Sequence, residues 1–322
     1  MINTKRKIAS LDIGTNSIIL LILETDPKNK EESTRYIGEY LATTRLGEDL
    51  SKTKVLSKEA MERTNHALKE MLAIVKEESI KDRDLIVSAT SAVRDAQNST
   101  EFLLKCNSSL DIFPQVLSGK EEARLTYLGA LAGIKEDNVP TVLFDIGGGS
   151  TEIAYGTKNR MIDAHSFNFG GIKSTEMFKL NSNYVRYIIN KKKLEQYINN
   201  QIEHFSTDFQ KWINKNPNPK VIISGGTATT YAAIINKIYV YDRNLINGIK
   251  SNLQKLISVK TQLERMSSKK RKDVPGMDAD RADIMPAGLI ILLSLLEKFE
   301  LNDFEITVDG LRTGVIKKYL IK

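Results

Sequence analysis

Apolar runs of strand length alternate with stretches of helical spacing along the whole chain. Residues 7–13 (KIASLDI) and 17–24 (SIILLILE) predict two strands joined by Gly-Thr-Asn, which reads as a hairpin turn. Residues 35–46 predict a third strand. Ser57 then precedes Ala60, Thr64, Ala67, Leu68, Met71 and Val75 at helical spacing, which predicts an N-capped amphipathic helix. DLIVSAT (84–90) and DIFPQVLS (111–118) predict strands. SAVRDAQNSTEFLLKC predicts a loop then a helix, and GKEEARLTYLGALAGI a helix.

The pattern then restarts. TVLFDI (141–146), STEIAYGT and MIDAHSFNFG predict three more strands, with Gly-Gly-Gly at the first turn. Asp12 and Asp145 occupy equivalent places 133 positions apart, which points to a duplicated domain. VIIS followed by GGTATTYAAII predicts a strand opening a helix. Residues 287–299 predict an apolar helix, EITVDG a strand and LRTGVIKKYLI a last helix. The expected boundaries are 1–125 for the first domain and 126–310 for the second, with 311–322 packing back on the first.

Composition changes this picture little. The chain has 322 residues, 41% of them hydrophobic and 27% charged, which is ordinary for a globular protein. A single cysteine, Cys106, excludes an intrachain disulfide. His66, His165 and His204 lack the clustering a zinc site needs. No apolar run reaches the length of a membrane span, and the opening residues lack a signal-peptide core, so a soluble cytoplasmic protein with no membrane partner is expected. Charge is more telling. Residues 1–150 carry 20 Lys and Arg against 23 Asp and Glu, whereas residues 151–322 carry 27 against 17. The basic second half is either lysine-rich solvated surface or a surface that attracts a long polyanion. The runs Lys191–Lys193 and Lys269–Lys272 read first as solvated surface. Trp212, Tyr184, Tyr187 and Tyr197 read as packing residues, and no specific nucleic-acid partner is expected.

The candidate chemistry starts with the two turns. Gly14, Thr15, Asn16 and Ser17 follow a strand carrying Asp12, and Gly147, Gly148, Gly149 and Ser150 follow a strand carrying Asp145. Successive N–H groups at such a turn form a concave nest for phosphate oxygens. The spacing matches neither a Walker loop nor a dinucleotide fingerprint, because the glycines join two strands. Asp145 and Glu152, bracketing the second nest, are a natural pair for Mg²⁺, with Mn²⁺ the alternative ion. Arg94 follows a strand and could grip phosphate through two N–H groups. Glu121 and Glu122 sit at a predicted helix start, where negative charge is favoured. Gly225, Gly226 and Thr227 open another helix and form a second-domain anion or nucleotide loop.

Together these segments resemble the exopolyphosphatase and guanosine pentaphosphate phosphohydrolase family. The similarity runs through LDIGTNSIILLI, SATSAVRDAQN, LSGKEEARLTYLGA, FDIGGGSTEIAYG, FNFGGIKSTE, SGGTATTYAA and PGMDADRADIMPAG, in the family's order. The resemblance implies an α/β, duplicated actin-like (ribonuclease H-like) ATPase fold of two domains with a cleft between them. It implies Glu121 as the catalytic glutamate and Asp145 and Glu152 as the metal- and water-associated acids. Polyphosphate or guanosine pentaphosphate would be the substrate, and a homodimer is the expected assembly. Two departures stand out. The chain has no His-Asp pair, so it is similar to the short, two-domain members, and the family's Gly-Leu-Arg-Glu-Gly reads Gly310-Leu311-Arg312-Thr313-Gly314. A kinase of the same superfold and a non-catalytic polyphosphate or nucleotide sensor are the competing readings.

Overall fold

The computed structural model describes residues 5–26, 34–181 and 184–321. In chain order the elements are β1 (Arg6–Ile13), β2 (Ser17–Thr25), β3 (Arg35–Thr43), α1 (Leu50–Thr53), α2 (Lys58–Glu77), β4 (Leu85–Ala89), α3 (Ser91–Asp95), α4 (Ser99–Leu110), β5 (Gln115–Val116) and α5 (Gly119–Ala130). There follow β6 (Thr141–Ile146), β7 (Thr151–Gly156), β8 (Met161–Phe167), α6 (Gly171–Met177), α7 (Tyr184–Lys215), β9 (Lys220–Ser224), α8 (Gly225–Asn236) and α9 (Arg243–Ile246). The last elements are β10 (Lys250–Asn252), α10 (Leu253–Glu264), α11 (Ser268–Arg271), α12 (Met285–Lys298), β11 (Asp303–Ile306) and α13 (Leu311–Ile321). They form two compact units. One takes the chain up to Gly129 and from Leu311 onward; the other is Ala130–Gly310.

The first unit is built on a sheet of order β3-β2-β1-β4-β5. The first three strands are an antiparallel meander, and β4 and β5 run parallel to β1. Its long apolar runs have a physical reason: both faces of the sheet are covered. Ala9, Leu11, Ile13, Ile18, Leu20 and Ile22 face the core under α2 and α4. Ile8, Leu21 and Leu23 on the other face pack against Ile316 of α13. The predicted cap holds, with Ser57 Oγ accepting the Ala60 N–H at 3.1 Å. Ser57→Ala should therefore lower stability by about 1 kcal/mol in urea unfolding.

The second unit repeats the plan. Its sheet has the order β10-β11-β9-β6-β7-β8, so β8-β7-β6-β9-β11 matches β3-β2-β1-β4-β5 and β10 is an added edge strand. Antiparallel β6, β7 and β8 correspond to the meander, and β9 and β11 run parallel to β6. This is the duplicated α/β arrangement expected from the sequence. Phe144 of β6 packs edge-on against Phe209 of α7 and stacks with Phe299. Helix α12 is apolar on nearly every side because it is buried on nearly every side.

Several elements differ from expectation: Ser91–Asp95, expected as loop, is helix α3, and β11 is Asp303–Ile306 where 305–310 was expected. The strand expected over 111–118 shrinks to Gln115–Val116, because Pro114 has no N–H to give a ladder and Phe113 is exposed. Strand β3 stops at Thr43, since the Thr44 and Arg45 N–H groups turn to the Asn16 carbonyl at 3.0 and 2.8 Å.

Candidate active site

The two turns are built alike. Each is closed by the same bond, Gly14 N–H to Ser17 O at 3.1 Å and Gly147 N–H to Ser150 O at 3.0 Å. In the first, Thr15 O accepts from Gly47, and Asn16 O accepts from Thr44 and Arg45. In the second, Gly147 O accepts from Gly171, and Gly148 O accepts from Ile172 and Lys173. A trans peptide sets its N–H opposite its C=O. Tying those carbonyls to the following segment thus directs the N–H groups of Asn16, Ser17, Gly148 and Gly149 to the other side, as an anion nest requires. Close packing holds the turns there: a Cβ on Gly47 would overlap Thr15, and one on Gly170 would lie 2.7 Å from the Gly148 carbonyl. Thr15, Asn16, Ser17 and Ser150 are all buried.

Strand register shows where the copies diverge. Asp12 is opposite Ile19, whereas Asp145 is opposite Glu152. On the other side each aspartate has a serine of the parallel neighbour, Ser88 or Ser224. Both serines are buried, and neither hydroxyl has a hydrogen-bond partner among the described residues. Sequence reasoning missed this pair, since only the pairing of β1 with β4 and of β6 with β9 sets each serine beside its aspartate.

Opposed residues of an antiparallel pair share a face, with Cβ atoms roughly 4.5–5.5 Å apart. Asp145 and Glu152 therefore present two carboxylates side by side. Glu152 is buried and accepts from Ser166 Oγ at 2.7 Å. Gly225, at φ 88°, has a residue-specific reason to be glycine: a Cβ there would overlap Asp145 Oδ1. The described residues contain no cluster of three or more metal-ligating side chains. Two hard carboxylates alone suit Mg²⁺, which draws its remaining oxygens from substrate and water.

The first unit supplies another acid. Helix α5 starts with Ser118 O accepting the Glu122 N–H at 2.9 Å and Ser118 Oγ accepting the Glu121 N–H at 3.3 Å. Successive helical residues point about 100° apart. Glu122 turns inward, is 7% exposed, and takes the Arg94 Nη1 donor at 2.7 Å. Arg94 also donates to Leu117 O at 3.0 Å. Glu121 turns outward to Lys318 of α13 and lies 3.8 Å from Arg124. Of the two, Glu122 is the buried, fixed carboxylate, and Glu121, expected as the catalytic glutamate, is the outward one. The Arg94 guanidinium, expected as a phosphate clamp, holds the Glu122 carboxylate.

Two nests, a carboxylate pair and a buried glutamate gripped by arginine are now in place, and the sequence model of the Ppx/GppA phosphatase family matches residues 28–322. This chain belongs to the Ppx/GppA phosphatase family. The chain is 34% identical to the bifunctional 3-dehydroquinate synthase/phosphatase of Fusobacterium nucleatum, across 94% of its own length and 45% of that protein. It is 27% identical to exopolyphosphatase 2 of Mycobacterium tuberculosis, across 90% of its length and 89% of that protein. Among the Ppx/GppA structures, the Aquifex aeolicus member matches with a TM-score of 0.78 at 26% identity, covering 98% of both chains. The chain spans 45% to 60% of the length of the first curated relatives it matches.

The remaining motifs of this Ppx/GppA chain find their places. Gly225–Thr227 do open α8, and Arg281 lies over Gly226 so closely that a Cβ there would overlap its guanidinium. Arg281 comes from the PGMDADRADIMPAG segment and lies 3.3 Å from Asp278. Thr227 is buried beside Gly288, where it packs. The lysine runs are not uniformly solvated. Lys191 reaches Glu264 at 3.2 Å, beside Lys260 and the Tyr187 hydroxyl, and burial pulls Lys260 below the usual lysine range. Arg271 is 4% exposed and donates to Leu263 O at 2.8 Å. Tyr187, Tyr197 and Trp212 pack in the second core, while the side chain of Tyr184 lies outside the described residues. Burial pushes the Cys106 thiol up to about 11, so it stays protonated. Among the described residues no helix is long and apolar enough to cross a membrane.

Proposed function

We propose that the chain hydrolyses the terminal phosphoanhydride of inorganic polyphosphate, with Mg²⁺ or Mn²⁺ held by Asp145 and Glu152. The observation that carries this reading is Glu122, buried at the start of α5 and held by Arg94. A fixed carboxylate of this kind is a general base for water. Glu122 takes the water proton as the oxygen attacks the terminal phosphorus; the bridging P–O bond breaks and the shortened chain leaves. Backbone N–H groups of the turns stabilise the charge on the phosphoryl oxygens. The metal ion, when bound, neutralises part of that charge. In this reading Arg94 is the group that keeps Glu122 in place.

The choice of polyphosphate rests on the basic second half and on the name of the Mycobacterium relative. The same groups would remove the 5′-phosphate of guanosine pentaphosphate, the alternative substrate. Phosphate release from both substrates should be measured with Mg²⁺, Mn²⁺ and EDTA. The expected result is a higher kcat/KM for long-chain polyphosphate, loss of turnover with EDTA, and a KM that rises with salt as for other polyanions. A higher kcat/KM for the guanosine nucleotide would select the alternative. Binding without turnover under either metal would leave a sensor.

A further inference from the structure

Helix α13 returns to α5 at very close range. A Cβ on Gly314 would overlap the Leu125 carbonyl and lie 3.1 Å from Gly129 N. Neighbouring contacts fix its rotation. Arg312 bonds Glu39 at 2.6 Å, and the Tyr319 hydroxyl donates to Arg83 O at 2.7 Å. In this setting Lys318 projects onto Glu121, the residue next to Glu122.

We propose that Lys318 is a positioning residue for the hydrolytic step: by compensating Glu121, it prevents a second negative charge from acting on Glu122. The proposal rests on the hydrolytic reading with Glu122 as base. Glu122 meets Arg94 from α3, and Asp95 lies 3.8 Å from the same guanidinium. On its own helix the nearby charges are Lys120, Glu121 and Arg124, and from α13 comes Lys318. Arg124 is a weak substitute for Lys318, since it is 64% exposed and 3.8 Å from Glu121. An ion pair this open adds little stability. Its consequence is local charge. Without Lys318, Glu121 bears an uncompensated charge one residue from Glu122, and repulsion favours the protonated, inactive form of the base.

The test is the pH profile of kcat/KM for phosphate release from long-chain polyphosphate, with folding checked by urea unfolding. In Lys318→Ala the acid limb should move to higher pH by about half a unit, the scale of repulsion between neighbouring, partly solvated carboxylates. That is about a threefold loss on the limb, and the shift should shrink in 1 M salt. Lys318→Arg should keep the wild-type limb, and adding Glu121→Gln to Lys318→Ala should return it. Glu121→Gln alone should place the limb at or below its wild-type position, a check that does not depend on the Lys318 variant folding. An unmoved limb in Lys318→Ala, with Glu122→Gln inactive, overturns the role of Lys318 and leaves the hydrolytic reading standing. A double variant that fails to return the limb overturns the route through Glu121. Wild-type turnover in Glu122→Gln overturns the base assignment and this inference with it.

Discussion

Glu122→Gln is expected to lower phosphate release from polyphosphate by about 10³-fold in kcat, the range for loss of a positioned general base. Glutamine keeps the side chain's length and an oxygen that can still accept from Arg94, so the fold should survive. What is lost is the capacity to take a proton. Glu121→Gln, by contrast, should stay within about tenfold of wild type, because Glu121 is directed to Lys318 and Arg124. Saturating-substrate turnover of the two variants, measured side by side, decides between neighbouring residues. The reverse order, with Glu121→Gln the more damaging, would return the base to Glu121.

The second large effect concerns stability. Glu39 on β3 is 5% exposed, Arg312 on α13 is 17% exposed, and their bond spans 273 positions of sequence. Glu39→Ala should cost about 3–5 kcal/mol, because it leaves a largely buried guanidinium without this carboxylate. A double change, Glu39→Leu with Arg312→Met, should recover much of the loss, since apolar neighbours of similar volume can replace a buried pair. Urea midpoints of the three proteins are the measurement. A cost below about 1 kcal/mol for Glu39→Ala would mean that packing alone holds α13 in place. The same pair explains part of the Gly310–Gly314 segment. Gly314 permits the approach to α5, and Arg312 anchors it. Thr313 is buried, and nothing in the structure explains why threonine stands at this place in the segment.

Local signals carried most of the fold. Continuous apolar runs of strand length, glycine at the turns and Ser57 before an amphipathic run are signals between near neighbours, and these elements formed where expected. The turn residues of the site were legible for the same reason. The choice between Glu121 and Glu122 was not, because it depends on the rotation of α5 against α3 and α13, which are distant in sequence. Lys191 and Arg271 looked like surface charge for a similar reason. Their partners, Glu264 and the Leu263 carbonyl, lie on α10, and no short-range pattern reports that contact. Register was the other hidden quantity. Ile19 and Glu152 both stand seven places after an aspartate, yet only strand pairing shows that they are equivalent. The duplicated scaffold thus keeps two matching turns but a carboxylate pair beside only one of them.

The return of α13 bears on the order in which the molecule assembles during synthesis. The second unit is one unbroken stretch, Ala130–Gly310, and all of it leaves the ribosome before Arg312 does. The first unit begins earlier but waits longer. Its sheet has one face open until Ile316 arrives to cover Ile8, Leu21 and Leu23. Domains generally fold as units as they emerge, and long-range closure is slow. The half of the chain made first is therefore the half finished last. Its apolar sheet face is open to chaperones and to aggregation in the interval.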